Sequence, residues 1–106
     1  MQILEYELVI PINTDVSSEL EDARMLGSNC SITAMAPAAL TNACKLEIGD
    51  SEGNFATGQH PAGTDIALAA GKAVVLPPIA ASQLRVKSAG NEAAARTFRV
   101  LVQVWR

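Results

Sequence analysis

Alternation between apolar and polar side chains is the feature that most limits what this chain can fold into. Over residues 94–105 it sets Phe98, Val100, Val102 and Val104 against Arg99, Leu101, Gln103 and Trp105. Successive side chains of a strand point to opposite faces, so a segment with this period buries one face only as a β-strand. Residues 3–10 repeat the pattern, with Leu4, Tyr6, Leu8 and Ile10 on one face and Ile3, Glu5, Glu7 and Val9 on the other.

Shorter alternating runs fill the middle of the chain. Residues 30–35 alternate up to Pro37, and residues 43–48 place Cys44, Leu46 and Ile48 opposite Lys45 and Glu47. Residues 49–54 are rich in Gly, Asp, Ser and Asn and read as a hairpin tip, with Phe55 opening a short return strand. Further strands are predicted over 64–69, over 72–76 before Pro77-Pro78, and over 83–87. Residues 16–26 fit a short strand or irregular edge segment better than a helix, because Val16, Leu20 and Leu26 form no helical stripe. The predicted fold is therefore all-β: an antiparallel β-sandwich, jelly-roll-like, with about eight strands. Residues 1–106 form one domain, with residues 1–10 as an N-terminal strand or arm available for assembly.

The composition agrees. The chain has 106 residues, one domain's worth, of which 49% are hydrophobic and 18% charged, the reverse of a disordered chain. A net charge of −3 gives no general attraction to nucleic acid or anionic membrane. No run approaches the roughly 20 apolar residues of a membrane helix. The start, with Glu5 and Glu7 and no basic leader, does not read as a signal peptide, so synthesis in the cytoplasm is expected.

Candidate chemistry is sparse. The single histidine, His60, lies in a loop without spaced metal ligands or a nucleophile beside it. Cys30 and Cys44 are too far apart for a C-x₂₋₄-C zinc step, and each alternates with core-type residues, so both are expected to be buried thiols. Gly71-Lys72 lacks the remainder of a phosphate loop, and Asp50–Asn54 lacks the remainder of a calcium loop. A sugar site would need exposed aromatic platforms, and only Tyr6, Phe55, Phe98 and Trp105 are available. No catalytic, cofactor-binding or metal-binding residue is predicted. The candidate interface residues are apolar side chains among polar neighbours near the two ends: Leu4, Tyr6 and Leu8, and Leu101 and Trp105.

Three stretches resemble a family of small structural proteins of tailed bacteriophages. Met25-Leu26-Gly27 with Met35-Ala36-Pro37-Ala38-Ala39-Leu40 resembles its leucine-glycine turn, strand and M-P-x-A-W step. Residues 47–55 resemble its "x-S-x-D-G-x-x-F" hairpin. Leu84-Arg85-Val86-Lys87-Ser88, then residues 91–104, resemble its "L-x-I-R-S-G … N-Q-A-A-x-R-T-L-T-L-V" ending. Leu40 stands where an aromatic is usual, Glu92 follows Asn91 in place of Gln, and residues 1–10 have no clear counterpart. The resemblance implies a non-enzymatic virion protein without cofactors. Its expected role is capsid cement or decoration, bracing major capsid protein subunits on the capsid surface as a homo-oligomer. A tail, baseplate or fibre-adaptor component is the alternative, and a carbohydrate-binding module a more distant one.

Overall fold

The computed structural model describes residues 2–21, 30–77 and 81–104. Within them the chain forms nine strands: β1 (Gln2–Ile10), β2 (Leu20–Glu21), β3 (Cys30–Met35), β4 (Cys44–Gly49), β5 (Phe55–Thr57), β6 (Ala67–Leu68), β7 (Ala73–Leu76), β8 (Gln83–Ser88) and β9 (Arg96–Val104). No helix occurs among the described residues.

The strands form two antiparallel sheets, one in the order β1-β9-β3-β7 and the other β2-β8-β4-β5. β5 and β6 share one place, because β5 pairs with Glu47–Gly49 and β6 with Cys44-Lys45 of the same strand. Counted by places there are eight strands, and their order is that of a jelly roll: first, last, third and sixth places in one sheet, second, seventh, fourth and fifth in the other.

The core lies between the inner faces. Leu8, Ile10, Ile32, Ala34, Phe98, Val100 and Val102 of the first sheet meet Leu20, Cys44, Leu46, Leu68, Leu84 and Val86 of the second. Ile66 completes this layer from the loop between β5 and β6. The predicted strand over 64–69 is shorter than expected. Asp65 bridges Gln59 and Ile66 bonds to Gly58, so only Ala67-Leu68 pairs as a regular strand.

β1 is more than an arm. It pairs with β9 along its whole length, from Gln2 opposite Val104 to Ile10 opposite Arg96. Leu8 and Ile10 are fully buried, so the strand closes the core of its own sandwich.

Candidate functional site

The two outer faces of the sandwich differ in chemistry. On the second sheet, Lys45 Nζ lies 2.7 Å from Asp65 Oδ2, Arg85 Nε lies 2.7 Å from Glu47 Oε1, and Lys87 pairs with Asp15. Arg85 also stacks 3.8 Å from the centroid of the Phe55 ring, which itself covers Gly49. A shallow groove of about 220 Å³ on this face is lined by Lys45, Glu47 and Lys87. Their charges already have these partners, so the groove presents no free acid–base pair.

The outer face of the first sheet carries a diagonal of apolar side chains among polar ones. Ile3 is 62% exposed, Met35 41% and Val75 71%. Leu101 is half-buried and sits between Glu5 on β1 and Thr33 on β3. The register makes these side chains diagonal neighbours, because Ile3 lies opposite Gln103, Thr33 opposite Val75, and Met35 opposite both Arg99 and Ala73. Diagonal neighbours on one face are within reach of long side chains. Ile3, Leu101, Met35 and Val75 thus form one band across all four strands. An ion pair of 2.7 Å between Arg99 Nη1 and Glu5 Oε1 flanks it.

The residues singled out in the sequence fall in different places. Leu101 lies on this band. Leu8 is a core residue at 1% exposure, because its parity on β1 is that of Ile10 and it faces inward; it offers no interface. Leu4 and Tyr6 share that inward parity, and their inner sides pack against the core at the sheet margin. Trp105 lies outside the described residues, as do Met25, Leu26 and Gly27. The alternation of β1 and β7 contains Ile3 and Val75, but without the strand order nothing aligns them with Leu101 and Met35.

Sequence reasoning also missed Glu92, which is buried at 0% exposure in the turn before β9. Its Oε1 accepts the Thr41 N–H (2.8 Å) and Arg96 Nε–H (3.0 Å). Its Oε2 accepts the Ser88 hydroxyl (2.8 Å), the Asn42 N–H (3.0 Å) and Asn42 Nδ2 (3.2 Å). Burial pushes its pKa up, but the Thr41 N–H, the Ser88 hydroxyl, Arg96 and the Asn42 N–H outweigh this and hold it at about 2. Donors from the chain itself occupy both oxygens. The carboxylate joins the 41–42 loop to the β8–β9 turn and is a structural brace. Ser88 and Arg96, four residues to either side, were its only trace in the sequence.

Other polar candidates are also satisfied locally. The Asp50 carboxylate accepts the N–H groups of Glu52 (2.9 Å) and Asn54 (3.0 Å) and closes the hairpin tip unaided. His60 belongs to a tight turn in which Gly63 N–H bonds its carbonyl at 2.8 Å. Cys44 is a free, buried thiol whose pKa is raised by burial; the side chain of Cys30, at the start of β3, lies outside the described residues. Among the described residues no group of three or more His, Cys, Asp or Glu side chains could hold a metal ion, and no helix is long and apolar enough to cross a membrane. Compared with known proteins, the chain matches no family model, no curated protein and no solved structure.

Proposed function

We propose that this domain is a structural protein of a tailed-phage particle, a capsid cement that braces neighbouring major capsid subunits and performs no catalysis. The observation that carries the reading is the contrast between the outer faces. The second sheet covers its face with paired charges, while the first leaves Ile3, Met35 and Val75 open to solvent around Leu101. An apolar band flanked by charge is the composition of a protein-docking surface. The jelly-roll order is compatible with this role but does not define it, because the fold serves many functions. The resemblance of residues 84–88 and 91–104 to phage structural proteins suggests the particle as the partner.

Copy number tests the proposal. In purified particles, densitometry against the major capsid protein should give copies in a fixed ratio to capsid subunits. A handful of copies per particle would instead assign the domain to the tail or its adaptors.

A further inference from the structure

The sandwich has four sheet margins, and they are unequal. Among the described residues, β2 has two residues, β5 and β6 have three and two, and β7 has four and runs directly into Pro77. Short margins and a following proline keep such edges from pairing further. β1 is nine residues long, with neither Gly nor Pro within it.

One side of β1 is taken by β9. Among the described residues the other is engaged only at its end, where Val9 N–H donates to Ser18 Oγ (3.2 Å) and Ser18 N–H to Val9 O (3.0 Å). In an antiparallel strand the N–H and C=O of one residue point to the same side, and alternate residues point to opposite sides. Ile3, Glu5 and Glu7 share the parity of Val9, so their backbone groups point outward from the sheet. Their side chains line the same outer face as Leu101.

The charges on this edge decide what can pair with it. A second copy added antiparallel and centred on Glu5 or Tyr6 would set Glu5 against Glu5, or Glu5 against Glu7 twice; a register centred on Leu4 avoids this only by setting both Glu5 carboxylates against Ile3. Like charges directly opposite one another are unfavourable. Glu5 has Arg99 as a partner, and among the described residues Glu7 has only the longer-range attraction of the same guanidinium. On the inner side, Leu4 and Tyr6 are half-buried, with apolar surface left at the margin.

We propose that β1 is a strand-addition edge for an extended segment of a different protein. That segment is basic at the two alternate positions facing Glu5 and Glu7 and apolar at the positions facing Leu4, Tyr6 and Ile3. It runs antiparallel to β1 and extends the four-stranded sheet by one strand. Backbone bonds to Ile3, Glu5 and Glu7 supply the attachment, and the alternating side chains supply the selection. This deepens the docking role proposed above and rests on it for the particle as the source of the segment.

The probe is a labelled peptide, Thr-Lys-Val-Arg-Val-Val-Thr, titrated with the full chain and followed by fluorescence anisotropy. Binding is expected, and an acidic counterpart, Thr-Glu-Val-Glu-Val-Val-Thr, should bind weaker by about tenfold or more, the scale of two reversed cross-strand charge pairs. Glu7→Lys should weaken the basic peptide, and Glu5→Lys with Glu7→Lys should invert the preference. Glu5→Pro removes an outward donor and no backbone bond to β9, and the Arg99 pair that it loses is exposed, so it should abolish binding while leaving the melting temperature nearly unchanged. Equal binding of the two peptides, or of neither, overturns the proposal. So does a wild-type dimer that Glu5→Pro dissolves, because the occupant is then a second copy. Particle attachment that survives Glu5→Pro overturns the edge and leaves the docking role standing. Selective peptide binding without particle attachment upholds the edge and removes the particle as its partner.

Discussion

Glu92 Oε1 and Arg96 Nε lie 3.0 Å apart, and the carboxylate is wholly excluded from solvent. The pair stands at the start of β9, the strand that joins β1 to β3, so it fixes the entry into the centre of the first sheet. Removing one partner of a buried ion pair leaves the other unsatisfied, a loss of about 3–5 kcal/mol. Glu92→Ala also strips the Thr41 and Asn42 N–H groups of their acceptor. Urea unfolding of this variant should show that scale of destabilisation. A change below about 0.5 kcal/mol, the scale of an ordinary surface substitution, would mean the carboxylate is no brace.

The same residue sets a pH dependence. The Glu92 pKa is about 2 in the folded chain and 4.5 in its usual setting, so the unfolded state takes up the proton first as pH falls. Its contribution is therefore complete above about pH 4.5 and is lost progressively down to about pH 2. Melting temperature should fall steeply across that window. Glu92→Gln should flatten the fall, since no proton is taken up at that site. Parallel pH profiles for the two proteins would place the acid sensitivity in other carboxylates.

The two sides of the first sheet should respond oppositely to truncation. Val102 is fully buried and Val75 is 71% exposed. Val102→Ala should cost about 1–4 kcal/mol of folding stability, the range for large-to-small core changes. Val75→Ala should stay within about 0.5 kcal/mol of wild type, as surface substitutions do. Thermal melts followed by circular dichroism separate them. Equal losses would mean that Val75 is packed and that the apolar band is part of the interior.

Much of this architecture was legible in the chain because alternation reports directly on which side of a strand meets the core. Phe98, Val100 and Val102 are buried together on one face of the alternation in β9, and Cys44 and Leu46 on one face of that in β4. Periodicity says nothing about which strand lies beside which. The apolar band needs Ile3, Leu101, Met35 and Val75 from four strands, and only the order β1-β9-β3-β7 brings them together. Glu92 was illegible for a related reason: its partners Thr41 and Asn42 come from a loop far away in sequence. Leu8 was misread because a leucine beside glutamates looks the same at an interface and on an inner face; pairing with β9 decides between them.

Removal of residues 1–10 tests whether β1 is integral. The truncation deletes Leu8 and Ile10 from the core and bares the β9 edge from Arg96 to Val104. The shortened chain should therefore lose its cooperative thermal transition. A truncated domain that melts as sharply as the full chain would show that β1 is an appended arm.

The central claim, that the outer face of the first sheet docks onto a phage particle, is tested most directly by co-sedimentation with particles stripped of this protein. Met35→Glu with Val75→Glu places two charges on the band at exposed positions, so the variant should fold with a nearly unchanged melting temperature. Wild-type protein should sediment with the particles and saturate at a fixed ratio to the major capsid protein, and the folded double variant should stay in the supernatant. Equal sedimentation of the two proteins, or a wild-type chain that never leaves the supernatant, would contradict the account.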